Sequence, residues 1–167
     1  MIIVSDTSPL SNLAIVDHLF LLKEIYQTVV IPEAVAEELE NAQADEPRIA
    51  AILSLDWVAV RTAQNVVLIS ELRNERLLDR SESEAIALAL ELKAEELLID
   101  ERLGRREAAR LGISMTGVLG VLLIAKRRGL IPAVRPVIDE LITVAKFRVS
   151  SQLYVEVLTA ANEPSID

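Results

Sequence analysis

Residues 1–10 read MIIVSDTSPL: a short apolar run, IIVS, then Asp6, then a polar turn into Pro9. The run has the residue types of a buried strand. Ser8 followed by Pro9 predicts a helix start, with the Ser8 hydroxyl as N-cap and proline at the first helical position. The stretch therefore passes from strand to helix and leaves one carboxylate at the strand's carboxyl end.

Outward from this stretch the same alternation continues. TVVI at 28–31, WVAV at 57–60, LLI at 97–99 and ISM at 113–115 resemble the first run. Pro32, Pro47, Ser81 and Gly117 mark helix starts, and Gly112 and Gly129 mark stops. Alternating strands and helices imply an α/β fold with a parallel sheet, right-handed crossovers and helices on both faces. Two further helices, PAVRPVIDELITVA and SSQLYVEVLTAAN, are predicted over about 132–162. The 167 residues suffice for one sizeable core and nothing in the length calls for a second, so 1–167 is read as a single domain.

Composition narrows the chemistry. Hydrophobic residues make up 51% and aromatics 3%, so the core is built from Leu, Ile, Val and Ala, as in helix-covered parallel sheets. The absence of cysteine excludes disulfides, thiolate zinc and thiol catalysis, and the single His18 leaves no histidine pair for zinc. No basic leader precedes a long apolar run, and no run approaches the roughly 18 residues that span a bilayer, so a cytoplasmic protein without membrane contact is expected. The formal net charge of −9 argues against nonspecific affinity for nucleic acid.

The carboxylates carry the functional signal. In an open α/β sheet, ligands bind beyond the carboxyl ends of the strands, and Asp6 after IIVS and Asp100 after LLI stand at two such ends. In PEAVAEELENA, Glu33, Glu37 and Glu40 form a solvated stripe, whereas Glu38 has Ala34, Val35 and Ala42 as helical neighbours and lies on or beside the apolar face. A carboxylate on that side needs a partner. In SESEAIALALELKA, Glu82 and Glu84 point in different directions, and periodicity does not choose which enters a common site. Carboxylates without histidine or lysine among them suit hard cations, Mg²⁺ or Mn²⁺, and metal-assisted phosphodiester hydrolysis needs no protein nucleophile.

DTSPL, IPEAVAEEL, SESEAIALA, LLIDERLGRREA and TGVLGVLLIAK, in that order, together with the tail around SSQLYVEVL, resemble a DTSPL-opening branch of the PIN-domain family. That family includes toxin ribonucleases of prokaryotic toxin–antitoxin pairs. The resemblance implies a three-layer α/β/α domain with a central parallel sheet of four to five strands and additional C-terminal helices packed on it. It also implies a magnesium- or manganese-dependent endoribonuclease. Carried over residue by residue, the metal-binding and catalytic acids are Asp6, Glu38, Glu84 and Asp100. Ser8, Asn12, Glu82 and Thr116 are supporting counterparts, and Glu101 is read as a first-turn helix residue. Ser81 stands where the branch usually has glycine, and Glu84 stands where many PIN toxins have aspartate.

A nuclease must hold a polyanion, and Arg102, Arg105 and Arg106 beside Asp100, continued by Arg110, are candidate phosphate contacts. The same stripe is equally a solvated face paired with Glu101 and Glu107. Lys126, Arg127 and Arg128 are read as a basic last turn complementing a helix dipole. Trp57, Phe147 and Tyr154 are scattered, so RNA recognition by shape is expected. The resemblance further implies a protein antitoxin and a homodimer. The competing expectation is a PIN-like binding or regulatory protein with weak or no turnover. A phosphotransfer enzyme using Asp6 as acceptor fits less well, because Ser8 stands where a second aspartate is needed and Thr116 and Gly117 where a receiver needs lysine.

Overall fold

The computed structural model describes residues 1–42 and 46–164; residues 43–45 and 165–167 of the predicted domain lie outside the described residues. Five strands, β1 (Ile3–Ser5), β2 (Val29–Pro32), β3 (Val58–Arg61), β4 (Glu96–Leu98) and β5 (Met115–Thr116), form one all-parallel sheet in the order β3-β2-β1-β4-β5. Each lies within two residues of a predicted run. The connecting helices are α1 (Thr7–Ile15), α2 (Phe20–Tyr26), α3 (Glu33–Asn41), α4 (Pro47–Ala50), α5 (Val66–Asn74), α6 (Arg80–Leu92), α7 (Arg102–Arg110) and α8 (Val118–Arg127), followed by α9 (Arg135–Thr143) and α10 (Ser151–Ala160).

Strand alternation divides the core into two layers, because successive side chains leave a strand on opposite faces. Ile3, Val29, Ile31 and Leu98 pack with residues of α1, α2, α8, α9 and α10. Val4 and Leu97 pack with Leu72 of α5, Ile86 and Leu88 of α6 and Ala108 of α7. The result is helices on both faces of the sheet, a three-layer α/β/α fold. The strand order runs from β1 to β2 and β3 on one side and resumes with β4 and β5 on the other. The β1–β4 junction is thus the topological switch point, where crevices open at the carboxyl ends.

Two predicted helix starts move towards the N-terminus, that of α1 by two residues and that of α6 by one. Asp6 is still in the sheet, its N–H donating to the Leu98 carbonyl at 2.9 Å, so extended geometry persists through it and α1 begins at Thr7 with Asp6 in the N-cap position. Ser8 is therefore not the N-cap. Helix α6 begins at Arg80 because Asp79 and Glu82 form a reciprocal capping box: Asp79 Oδ1 accepts from the Glu82 N–H at 2.8 Å, and Glu82 accepts from the Asp79 N–H at 3.1 Å.

The tail closes the core, with Val137, Ile138, Leu141, Val157 and Leu158 buried in the layer of α1, α2 and α8. Lys126 does more than complement a dipole. Its Nζ pairs with Glu163 at 3.0 Å, and Glu163 accepts the Val134 and Arg135 N–H groups at 2.7 and 3.1 Å at the start of α9. Leu158→Ala, at a fully buried site, is expected to cost about 2–5 kcal/mol in urea unfolding. Leu153→Ala, 40% exposed, is expected to cost less than about 0.5 kcal/mol. Equal costs would mean that the tail does not close the core.

Candidate active site

Asp6 is the most buried acid of the cleft. Its backbone ends β1, its side chain is only 3% exposed, and it makes no side-chain capping bond to α1. Oδ1 is buried without a hydrogen-bond partner. An unpartnered buried oxygen favours the neutral form. Burial, which the Thr7 amide partly offsets, together with the charges of Glu82, Asp79 and Glu38, pushes the Asp6 carboxyl up to about 8.

The α6 capping box sends the two glutamates to different surroundings. It fixes the phase of the first turn so that Glu82, 6% exposed, lines a cleft of about 470 Å³ shared with Asp6, Glu38, Asp79 and Glu101. Burial, partly offset by the Asp79 amide, and the charges of Asp79 and Glu101 push the Glu82 carboxyl up to about 7. Glu84 does not line this cleft: it accepts from the Ala34 N–H at 3.1 Å and pairs with Arg80 at 2.8 Å. Arg80 also reaches Glu37 at 2.5 Å, so this glutamate joins α6 to the first turn of α3. The physical reason is the helix itself, since positions two apart diverge by more than half a turn.

Glu38 does not point into the core. Ala34, Val35 and Leu39 form the buried face of α3, and Glu38 stands at its edge, solvent-exposed at the cleft rim. Its partners are hydroxyls: Thr7 Oγ1 donates to Oε2 at 2.6 Å, and Ser81 Oγ donates to Oε1 at 2.8 Å. Ser8 lines the same cleft with a buried, unpartnered Oγ. Asn12, half-buried on α1, does not line it; Ser11 does.

Asp100 follows β4 beside Asp6 in chain topology, but its side chain turns towards β5. Oδ1 accepts from the Val118 N–H at 2.9 Å at the start of α8, while Oδ2 is buried without a partner. Gly117 permits this approach, since a Cβ there would stand 2.6 Å from Asp100 Oδ1. Burial pushes the Asp100 carboxyl up to about 6 despite the Val118 amide and the Arg105 charge. Asp100 borders a second cavity of about 450 Å³ with Arg105 and Thr116. The Thr116 hydroxyl itself donates to Glu96.

Of the candidate phosphate contacts, Arg102 lines the acidic cleft, Arg105 faces Asp100 and donates to the Ile99 carbonyl at 2.8 Å, and exposed Arg106 lies 3.9 Å from buried Glu107. Arg110 and Arg76 meet the same Glu107 at 2.7 and 3.7 Å, so part of the predicted stripe serves this glutamate.

All acids at the cleft offer oxygen donors only, the set that hard divalent cations select. The orphaned oxygens of Asp6 and Asp100 are two coordination positions without a protein partner. Among the described residues, no group of three or more acids is gathered tightly enough to hold an ion as the side chains stand. The donors fit such an ion in chemistry and burial. Sequence reasoning missed Asp79, Thr7 and Ser11. The pattern Asp79-x-x-Glu82 is a capping box and would have exposed both Asp79 and the phase of Glu82.

A family profile described as PIN domain matches residues 2–163. No curated protein matches the chain.

The pH dependence of stability follows from the raised carboxyls. Between the ordinary Asp value of 3.8 and about 8, folded Asp6 retains a proton that the unfolded chain has released, so stability falls as pH rises through this window. The Tm of metal-free protein is expected to be lower at pH 8 than at pH 5, and Asp6→Asn to raise Tm at pH 8 and remove about half of the slope, the remainder coming from Glu82 and Asp100. An unchanged slope in that variant would show that Asp6 ionises freely.

Proposed function

Because the chain belongs to the PIN-domain family, whose domains are generally nucleases, we propose that it is a divalent-metal-dependent endoribonuclease. The observation that carries this reading is Asp6 at the sheet's switch point, its buried Oδ1 without a partner, facing Glu38, Asp79 and Glu82 across one cleft. Asp6, Glu38, Glu82 and Asp100 would hold the cation, which when bound supplies charge for the phosphate oxygens and lowers the pKa of water.

The chain's own residues do the rest. Thr7 and Ser81 orient the Glu38 carboxylate through one hydroxyl each, leaving its remaining lone pairs towards the cleft. Ser8 Oγ, at the start of α1, offers a phosphate an unused donor beside the helix N-terminus. Arg102 is the cleft's cation and draws a phosphodiester towards the acids. Glu84, predicted by resemblance as the third acid, acts in this reading as a strut between α6 and α3.

We further infer the finer role implied by resemblance: a cytoplasmic toxin ribonuclease that forms a homodimer and is held inactive by a protein antitoxin offering a basic side chain to the acids. Among the described residues no helix is long and apolar enough to cross a membrane. The second reading is a binding or regulatory protein without turnover, favoured by the formal charge of −9.

Cleavage of a mixed RNA pool with Mg²⁺, Mn²⁺ or chelator separates these. Metal-dependent cutting is expected, with Asp6→Asn and Glu82→Gln each slower by roughly 100-fold or more, the scale of losing one electrostatic contributor. Ser81→Ala is expected to lose about tenfold, as second-layer hydrogen bonds do, and Glu84→Gln to lose less than that. Metal-independent cutting, or no cutting by folded protein, would contradict the nuclease reading. Greater loss in Glu84→Gln than in Glu82→Gln would reverse the assignment of the third acid.

A further inference from the structure

A second cavity of about 450 Å³ lies on the far side of Asp100, between β5, α8 and the turn that joins α9 to α10. Its size is in the range of small-ligand sites. One wall is apolar, formed by Met115, Leu119, Phe147 and Leu153, and its cations are Arg105 and Arg148. The first turn of α7 separates the two cavities: Arg102 lines the acidic cleft and Arg105, one turn on, lines this one.

The position of Phe147 is built in. Beyond the end of α9 at Thr143, Lys146 adopts the left-handed conformation at φ 60°, and the Phe147 N–H donates to the Leu141 carbonyl at 2.8 Å, which folds the chain back onto the last turn of the helix. The ring is half-buried against the core layer that contains Leu141. Arg148, the next residue, is exposed and has no ion-pair or hydrogen-bond partner among the described residues. In a chain of formal charge −9, an unpaired arginine next to a fixed aromatic face at a cavity mouth is a charge-complementary seat for a nucleotide.

We propose that this cavity is a nucleobase subsite: one base of single-stranded RNA stacks on Phe147, and Arg148 and Arg105 contact the adjoining phosphate as the strand runs past Asp100 into the acidic cleft. The inference rests on the nuclease reading and departs from recognition by shape alone. Tyr154, by contrast, is engaged with Asp139 through its hydroxyl at 2.7 Å.

The test uses the full-length protein in chelator with a single-stranded oligonucleotide carrying photoreactive iodouridine, the cross-link being mapped by mass spectrometry and affinity measured by anisotropy. A cross-link at Phe147 is expected, with Phe147→Leu and Arg148→Gln each binding roughly tenfold more weakly. Phe147→Tyr, which keeps the ring, retains affinity, and matching thermal transitions exclude misfolding as the cause. Cross-links confined to other residues, or variants that bind as tightly as the parent, would overturn the subsite. Its failure is distinguishable from that of the nuclease reading. Metal-dependent cutting without a Phe147 cross-link removes only the subsite, whereas a Phe147 cross-link without cutting removes only the nuclease.

Discussion

The parallel pairing of β1 with β4 is the constraint on which the rest depends. It registers Ser5 against Leu98 and draws the Asp6 N–H onto the Leu98 carbonyl, so that a carboxylate is carried to the switch point of the sheet while still inside it. Asp6 occupies the N-cap position of α1 without making a side-chain capping bond, and its Oδ1 stays unpaired. Burying an unpaired carboxylate is unfavourable. The fold tolerates it because two apolar layers built largely from Leu, Ile, Val and Ala close around the sheet on either face.

The arrangement of countercharges is as informative as that of the acids. Arg80 joins Glu37 and Glu84, and Arg76, Arg106 and Arg110 gather on buried Glu107, all away from the acidic cleft. Inside the cleft the glutamates and aspartates face one another with Arg102 at the wall. Like charges held together by burial and by backbone geometry favour protons or a cation over the ionised, empty state. These ion pairs thus lie outside the cleft, while the acids inside it are left with Arg102 as the one cation lining it among the described residues.

Much of this was legible in the residues. β-branched runs located all five strands because a sheet covered on both faces needs continuous apolar segments, and the alternation with helices predicted the parallel order. Asp6 and Asp100 were visible as strand-end acids, although the turn of Asp100 towards the α8 amide depends on Gly117, which a linear reading does not weigh. Glu38 was singled out by helical phase, but phase could not show that the edge of α3 faces hydroxyls of α1 and α6 instead of the core. Apolar residues on every side of α6 erase its periodicity, so which of Glu82 and Glu84 faces the cleft depends on its cap, a local signal at Asp79, two residues before the expected start. Phe147 looked isolated in sequence because the cavity it borders is assembled from β5, α8 and the tail.

A crystal structure of the protein soaked with Mn²⁺, with the ion located by its anomalous scattering, addresses the central claim most directly. The expected result is density bound by Asp6 with Glu82 among its ligands and Glu84 still paired with Arg80. An ion held by Glu84 and away from Asp6, or none at the switch point at saturating metal, would contradict it.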